Sequence, residues 1–387
     1  MRADVLIIGA RTSGSPLAML LSRLGFQVIM VDKSQFPSDA LGSNMFFQSS
    51  HLLLSKWGLQ SKFDASTAPR IYKQVLGADD VLFDVDLKSR GEFRFVRCLR
   101  KITMDQILVE AAQDEGATLL QGFKNISAIR SNGKIAGVTG MHEGSRVEIR
   151  APITVGADGH ASWLASTVQA REYDTHPSRT AFYYSFWKNV KLDEFFHVKF
   201  NKEREVVFIC PSNNAMTVVC LVIPLEDLGS FRQDYERNYL RRLEKHETLA
   251  KRLHGGTIGS RVAGFSYTRM WRRKPFGPGW ILTGDAGMHA DPVGGRGIQF
   301  AFQQAELLSK SICDVLGGRT AFEESLSSFQ KERDALTEGE YQLTARDAAL
   351  EPLDQHSLGL VKQNYSLYKN IFLLLEFGIE ESGDTVG

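Results

Sequence analysis

The sequence predicts an α/β protein: a doubly wound domain on a parallel sheet, an inserted antiparallel-sheet domain, and a C-terminal helical region. Three observations predict it. Residues 4–9 (DVLIIG), the helical pattern 16–25 (PLAMLLSRLG) and the strand 28–33 (VIMVDK) follow one another within ~30 residues, the βαβ unit of a parallel sheet. Between 170 and 270 the texture changes to closely spaced runs, TAFYYSFW (180–187), EVVFICPS (205–212) and MTVVCLVIP (216–224), with no helix between them, which suggests antiparallel pairing. From Gly279 the first texture returns as WILTGDAG and the amphipathic helix GIQFAFQQAELLSKSICDVL (297–316), so two halves of one domain flank the insert.

The remaining elements follow in order. ITMDQILVEAAQDEGA (102–117) reads as a helix ending at Gly116. ATLLQGF, AIRSNG and KIAGVTG read as strands with SNG as a hairpin turn, and VEIRAPITVGADG (147–159) runs from strand into a Gly-bearing turn. In the insert, YLRRLEKHETLAKRL (239–253) is a charged helix whose run Arg241–Arg252 is expected to be a solvated face. Arg269–Lys274 is expected to be an exposed connection. The boundaries are 1–72, 98–168 and 275–330 for the first domain, 73–97 and 169–274 for the insert, and 331–387 for the helical segment.

Composition narrows the function. The chain has 46 Lys+Arg against 45 Asp+Glu, a net charge of +1, which leaves no electrostatic footprint for nucleic acid. Hydrophobic residues at 43% and charged residues at 24% exclude a disordered or fibrous chain. Cys98, Cys210, Cys220 and Cys313 show neither CxxC nor metal-ligand spacing. They are read as buried thiols in a reducing, cytoplasmic setting, with no metal site. Val5–Ile8 is a strand rather than a signal peptide. Ile371–Leu375 falls far below the roughly 20 residues of a membrane helix, so no membrane span is expected.

Three turns carry the chemistry. Gly9-Ala10-Arg11-Thr12-Ser13-Gly14 keeps the outer glycines of GxGxxG and has arginine at the middle one. The glycines allow a tight turn and close helix packing, and the helix start offers free amides to a pyrophosphate. Asp32, followed by Lys33, ends the second strand where a carboxylate accepts ribose hydroxyls. Gly156-Ala157-Asp158-Gly159-His160-Ala161-Ser162 follows a second strand, and Gly284-Asp285-Ala286-Gly287 runs on through Pro292, Gly294, Gly295, Gly297 and Ile298 after a third. Turns at strand C-termini converge on one crevice in a doubly wound sheet.

Together the three turns resemble the fingerprints of the FAD-dependent monooxygenases of the para-hydroxybenzoate hydroxylase type, the group A flavoprotein monooxygenases. Geranylgeranyl reductases and flavin halogenases share these motifs. GARTSGSPLAMLLSRLGF, FPSDALGSNMFF with WGL, and EYDTHPSRTAFYYSFW add similarity to one branch, in which arginine often replaces the middle glycine. The resemblance implies a Rossmann-like FAD-binding domain. Gly9, Arg11 and Gly14 would hold the pyrophosphate, Asp32 the adenosine ribose, and Asp285 the ribityl chain, while Arg100 would contact FAD. Lys33, Asp158, Pro292, Gly294, Gly295, Gly297 and Ile298 complete the expected cofactor residues, the last four setting a helix start against the pyrimidine edge of the flavin. Two positions depart from the pattern: Ala165 and Ser166 stand where the family usually has an arginine, and Met288 stands where aromatic hydroxylases often have a histidine, with His289 one residue later.

The resemblance further implies that NAD(P)H reduces FAD and that O₂ then adds to it. The resulting C4a-hydroperoxide would hydroxylate an aromatic or polyketide-like small molecule. No catalytic base is assigned. Phe182, Tyr184 and Phe186 share one strand face and are the candidate substrate wall, with Tyr183 and Trp187 on the other. A flavin-dependent reductase of isoprenoid double bonds is the alternative, and a catalytically idle flavin-bound partner protein is a third reading. A halogenase is set behind these because WxWxIP is missing at Trp187.

Overall fold

A computed structural model describes residues 1–40, 45–87, 91–352, 356 and 359. Its first sheet has six strands in the order Phe276–Gly277, Trp280–Leu282, Ile153–Gly156, Val5–Ile8, Val28–Asp32, Thr118–Gln121. All neighbours are parallel except the Phe276–Gly277/Trp280–Leu282 hairpin. Val5–Ile8 and Val28–Asp32 are buried throughout, as continuous apolar strands in a doubly covered parallel sheet must be. The three strands that precede the Gly/Asp turns, 280–282, 153–156 and 5–8, are consecutive neighbours pointing the same way. Their turns therefore emerge side by side.

The second sheet has eight strands and carries the aromatic run Thr180–Lys188. It is antiparallel except where Lys73–Ala78 lies parallel to Glu194–Phe200. Strand 73–78 forms a hairpin with Val81–Asp86 but is joined to Glu194–Phe200 only by a long connection, so no tight turn forces those two to be antiparallel. Ala181, Tyr183 and Trp187 pack with Phe231, Tyr239, Leu243 and Leu249 beneath the helices Tyr235–Lys245 and Glu247–Arg252. Phe182, Tyr184 and Phe186 occupy the opposite face, as strand alternation requires.

Two expectations are corrected. The charged helix is two helices broken at His246, whose φ of −98° and ψ of 113° are extended and whose ring stacks on Phe200 at 3.6 Å. Arg241, Glu244, Lys245, Glu247 and Lys251 are exposed as expected, but Arg242 and Arg252 are not, because Arg242 pairs with Asp227 and the fully buried Glu205, and Arg252 pairs with Glu194 over the Phe196 ring. Nor is Arg269–Lys274 an exposed connection. Met270–Arg273 is a strand between Glu172–His176 and Met288–His289, with Trp271 fully buried. The arginines tolerate this because Glu172 takes Arg269 and Arg273, while Asp174 and Glu338 take Arg272.

Gly297–Leu316 packs against a single long helix, Phe322–Asp347, which spans the expected boundary at 330. Cys98 and Cys210 are buried and Cys220 and Cys313 half-buried, all as free thiols. No helix among the described residues is long and apolar enough to cross a membrane. Ile371–Leu375 lies outside the described residues.

Candidate cofactor-binding site

Two glycines record how closely the three turns meet. Gly9 has φ +100°, and a Cβ built there would stand 2.4 Å from the Ala157 carbonyl oxygen of the second turn. Gly284 has φ +59°, and its Cβ would stand 1.9 Å from Ser13 Oγ of the first. A side chain at either position would force the turns apart. Gln304 Oε1 accepts the Gly284 amide at 3.0 Å, tying the third turn to the Gly297–Leu316 helix.

At the first turn, the Gly14–Arg23 helix begins without a side-chain cap and without an acidic residue in its first turn. Its amides and dipole are left for an anion. Asp32 accepts the Ala10 amide at 2.9 Å and the Ser34 amide at 2.8 Å, one on each oxygen, which keeps acceptor capacity for ribose hydroxyls. Lys33 next to it is exposed. Arg11 has other partners than a phosphate. It donates to Asp105 at 2.5 Å, to the hydroxyls of Ser34 and Ser38, and stacks over Phe36. Lys101 also reaches Asp105 at 3.2 Å and Thr12 at 2.8 Å. Sequence reasoning missed Asp105, although a carboxylate in helical phase with Met104, Leu108 and Ala112 was the available signal.

The middle turn is closed. Asp158 accepts from Ser162 Oγ at 2.5 Å and from the Trp163 and Leu164 amides at 2.7 and 3.2 Å, so it holds the start of the Trp163–Thr167 helix. Burial pushes its carboxyl above the ordinary value against those hydrogen bonds. Ala165 donates its amide to Ser162 Oγ and completes the cap.

At the third turn, the Asp285 side chain is 43% exposed. Desolvation raises its carboxyl, but His289, with His160 and Lys101 beyond, outweighs that and holds it below the usual carboxylate range. Asp291 caps the turn Pro292–Gly294 through the Val293 amide and accepts from Thr180; burial pushes it up to about 6. Gly294 lies so near the second long helix that a Cβ would stand 2.2 Å from Thr344 Oγ1, and Gly295 has φ +66° beside the Phe47 ring. The Gly297–Leu316 helix then starts with no side-chain cap and no acid in its first turn, its Gly297 open and Ile298 buried. Arg100 precedes the Lys101–Asp114 helix, donates to Asp39 at 2.9 Å and stacks over Phe186 at 5.1 Å. Its Nε is buried without a partner among the described residues. Two uncapped helix starts, a ribose-type carboxylate and an orphaned guanidinium nitrogen fit an elongated dinucleotide with an anionic centre.

The aromatic face lies next to these groups. Phe182 packs with Val293 of the third turn, and Tyr184 and Phe186 with Cys98, Phe195 and partly buried Phe47 and Phe208.

The family described as "FAD binding domain" matches residues 2–343. The chain belongs to that family. It is an FAD-dependent oxidoreductase, in agreement with the resemblance read from the three turns. A tryptophan 2-halogenase of Chondromyces crocatus is 24% identical over 98% of this chain and 76% of its own. A digeranylgeranylglycerophospholipid reductase of Methanothrix thermoacetophila is 23% identical over 86% of this chain and 83% of its own. The solved structure of PqsL from Pseudomonas aeruginosa, titled "a probable FAD-dependent monooxygenase", superposes with a TM-score of 0.73 at 18% identity, covering 96% of this chain and all of that one.

Proposed function

We propose that the protein is an FAD- and NAD(P)H-dependent monooxygenase that uses O₂ to hydroxylate an aromatic or polyketide-like small molecule. The observation that carries this reading is the shared boundary of the aromatic sheet face with the third turn: Phe182 packs on Val293, and Phe186 lies under Arg100. A planar apolar substrate on Tyr184 and Phe186 would thus lie beside the helix start that faces the flavin. Bound FAD supplies the redox and oxygen chemistry. Gly9, Gly14 and the helix start behind them bind the pyrophosphate, Asp32 the ribose and Asp285 the ribityl chain. Arg100, stacked over Phe186 with an unpartnered Nε, would contact the cofactor. The uncapped start of the Gly297–Leu316 helix would offer partial positive charge to a reduced flavin held there, and the apolar wall would exclude water.

The relatives support a second reading, reduction of an isoprenoid double bond. Halogenation has relatives too, but Trp187 is directed away from the aromatic face and donates to Tyr239 at 3.1 Å. Purified protein reconstituted with FAD is expected to consume NAD(P)H and O₂ together, faster with an aromatic substrate, and Asp285→Ala is expected to lose the flavin. Reduction of a prenyl substrate without oxygen establishes the reductase instead, a halide-containing product the halogenase, and a flavin that no donor reduces the idle partner.

A further inference from the structure

His289 is a buried titratable side chain at this site that the proposed chemistry leaves unused. It is 4% exposed; Nε2 has no hydrogen-bond partner among the described residues, and Nδ1 faces the Asp285 carboxylate. Burying an imidazole in that state costs stability, so its retention calls for an explanation. Its place is tightly determined. The backbone pairs Trp271 with His289 across two strands, and the rings stack at 4.7 Å and 30°. That stack leaves Nδ1 at 3.4 Å from Asp285 Oδ2. From the middle turn, His160 places its ring 5.9 Å away. Burial first and His289 second press the His160 imidazole below its ordinary range. Asp291, on the same strand-to-turn segment, is taken up by Thr180 and the Val293 amide.

We propose that His289 is a positioning residue for the flavin: its Nδ1–H holds one oxygen of Asp285 and leaves the other for the ribityl hydroxyls. The proposal rests on the reading of Asp285 as the ribityl acceptor. A histidine that directs a carboxylate toward its ligand gives geometric precision that the partly exposed Asp285 side chain would lack on its own.

The test is FAD uptake by the apoprotein, followed by flavin fluorescence, with two substitutions of opposite character. His289→Phe keeps a ring on Trp271 and loses the donor; His289→Asn loses the ring and keeps an N–H near the Nδ1 position. The expected result is a dissociation constant weakened about tenfold in His289→Phe, the low end for one hydrogen bond to a charged group, and by less than about threefold in His289→Asn. Wild-type affinity in His289→Phe, or equal losses in both variants, assigns the ring to packing and overturns the proposal. Should His289→Phe not fold, the ¹⁵N shift of His289 Nδ1 in the wild-type protein decides: it moves when FAD binds, and a shift that stays put overturns the proposal. A wild-type apoprotein that takes up no FAD removes the reading of Asp285 itself, whereas normal wild-type uptake with an unaffected His289→Phe removes only the role of His289.

Discussion

The first and second Gly/Asp turns are built alike in sequence, a buried strand running into glycine, a small residue and then a helix, yet they differ in what they leave free. The Gly14–Arg23 helix opens with no side-chain cap and no acid, whereas the Trp163–Thr167 helix has Asp158 and Ser162 filling its first amides. One helix start is available to an anion and the other is already neutralised. The difference teaches that a strand–glycine–helix turn makes a nucleotide site only when its own side chains do not satisfy the helix end.

The most damaging way to break the comparison is Gly9→Ala. The new Cβ meets the Ala157 carbonyl in a left-handed backbone, so a loss of about 3 kcal/mol or more is expected in urea unfolding, with no flavin retained. A stable Gly9→Ala variant that still binds FAD breaks the picture of two turns in contact. Arg11→Met comes next. It leaves the fully buried Asp105 carboxylate with Lys101 and Thr12 alone, a cost of about 3 kcal/mol that the double variant with Asp105→Asn partly restores. If Arg11 instead serves the pyrophosphate, FAD affinity falls while stability holds. Ser162→Ala is the mildest: about 1 kcal/mol of stability, with FAD affinity unchanged within about twofold. A large loss of affinity would mean that the middle turn is open after all.

Asp158 sharpens the same contrast through pH. Its carboxyl is raised in the folded protein from 3.8 by burial, so below 3.8 the folded and unfolded states are both protonated, and above it the fold holds the proton longer. Stability tied to this group is therefore lost as pH rises through the raised value. The difference in unfolding free energy between Asp158→Asn and wild type, measured across that window, should move in favour of the variant as pH increases. A flat difference would mean that the capping hydrogen bonds cancel the burial.

Much of the fold and part of the site were legible in the sequence. The βαβ unit, the return of the parallel texture at Gly279, the alternation of Phe182, Tyr184 and Phe186 and the meeting of three turns all follow from residue spacing. The role of Arg11, the closure around Asp158, the burial of Arg272 and the placement of His289 do not.

The sequence by itself determined where the chain turns and which faces are apolar, because glycine at positive φ and strand or helix periodicity are requirements of nearby backbone and neighbouring residues. Only the tertiary structure decided which polar groups remain available. Arg11 is bound by a carboxylate 94 positions away and Tyr173 by an arginine 160 positions away. A hydrogen bond is spent or free according to the partner that packing brings to it, and no local pattern carries that information.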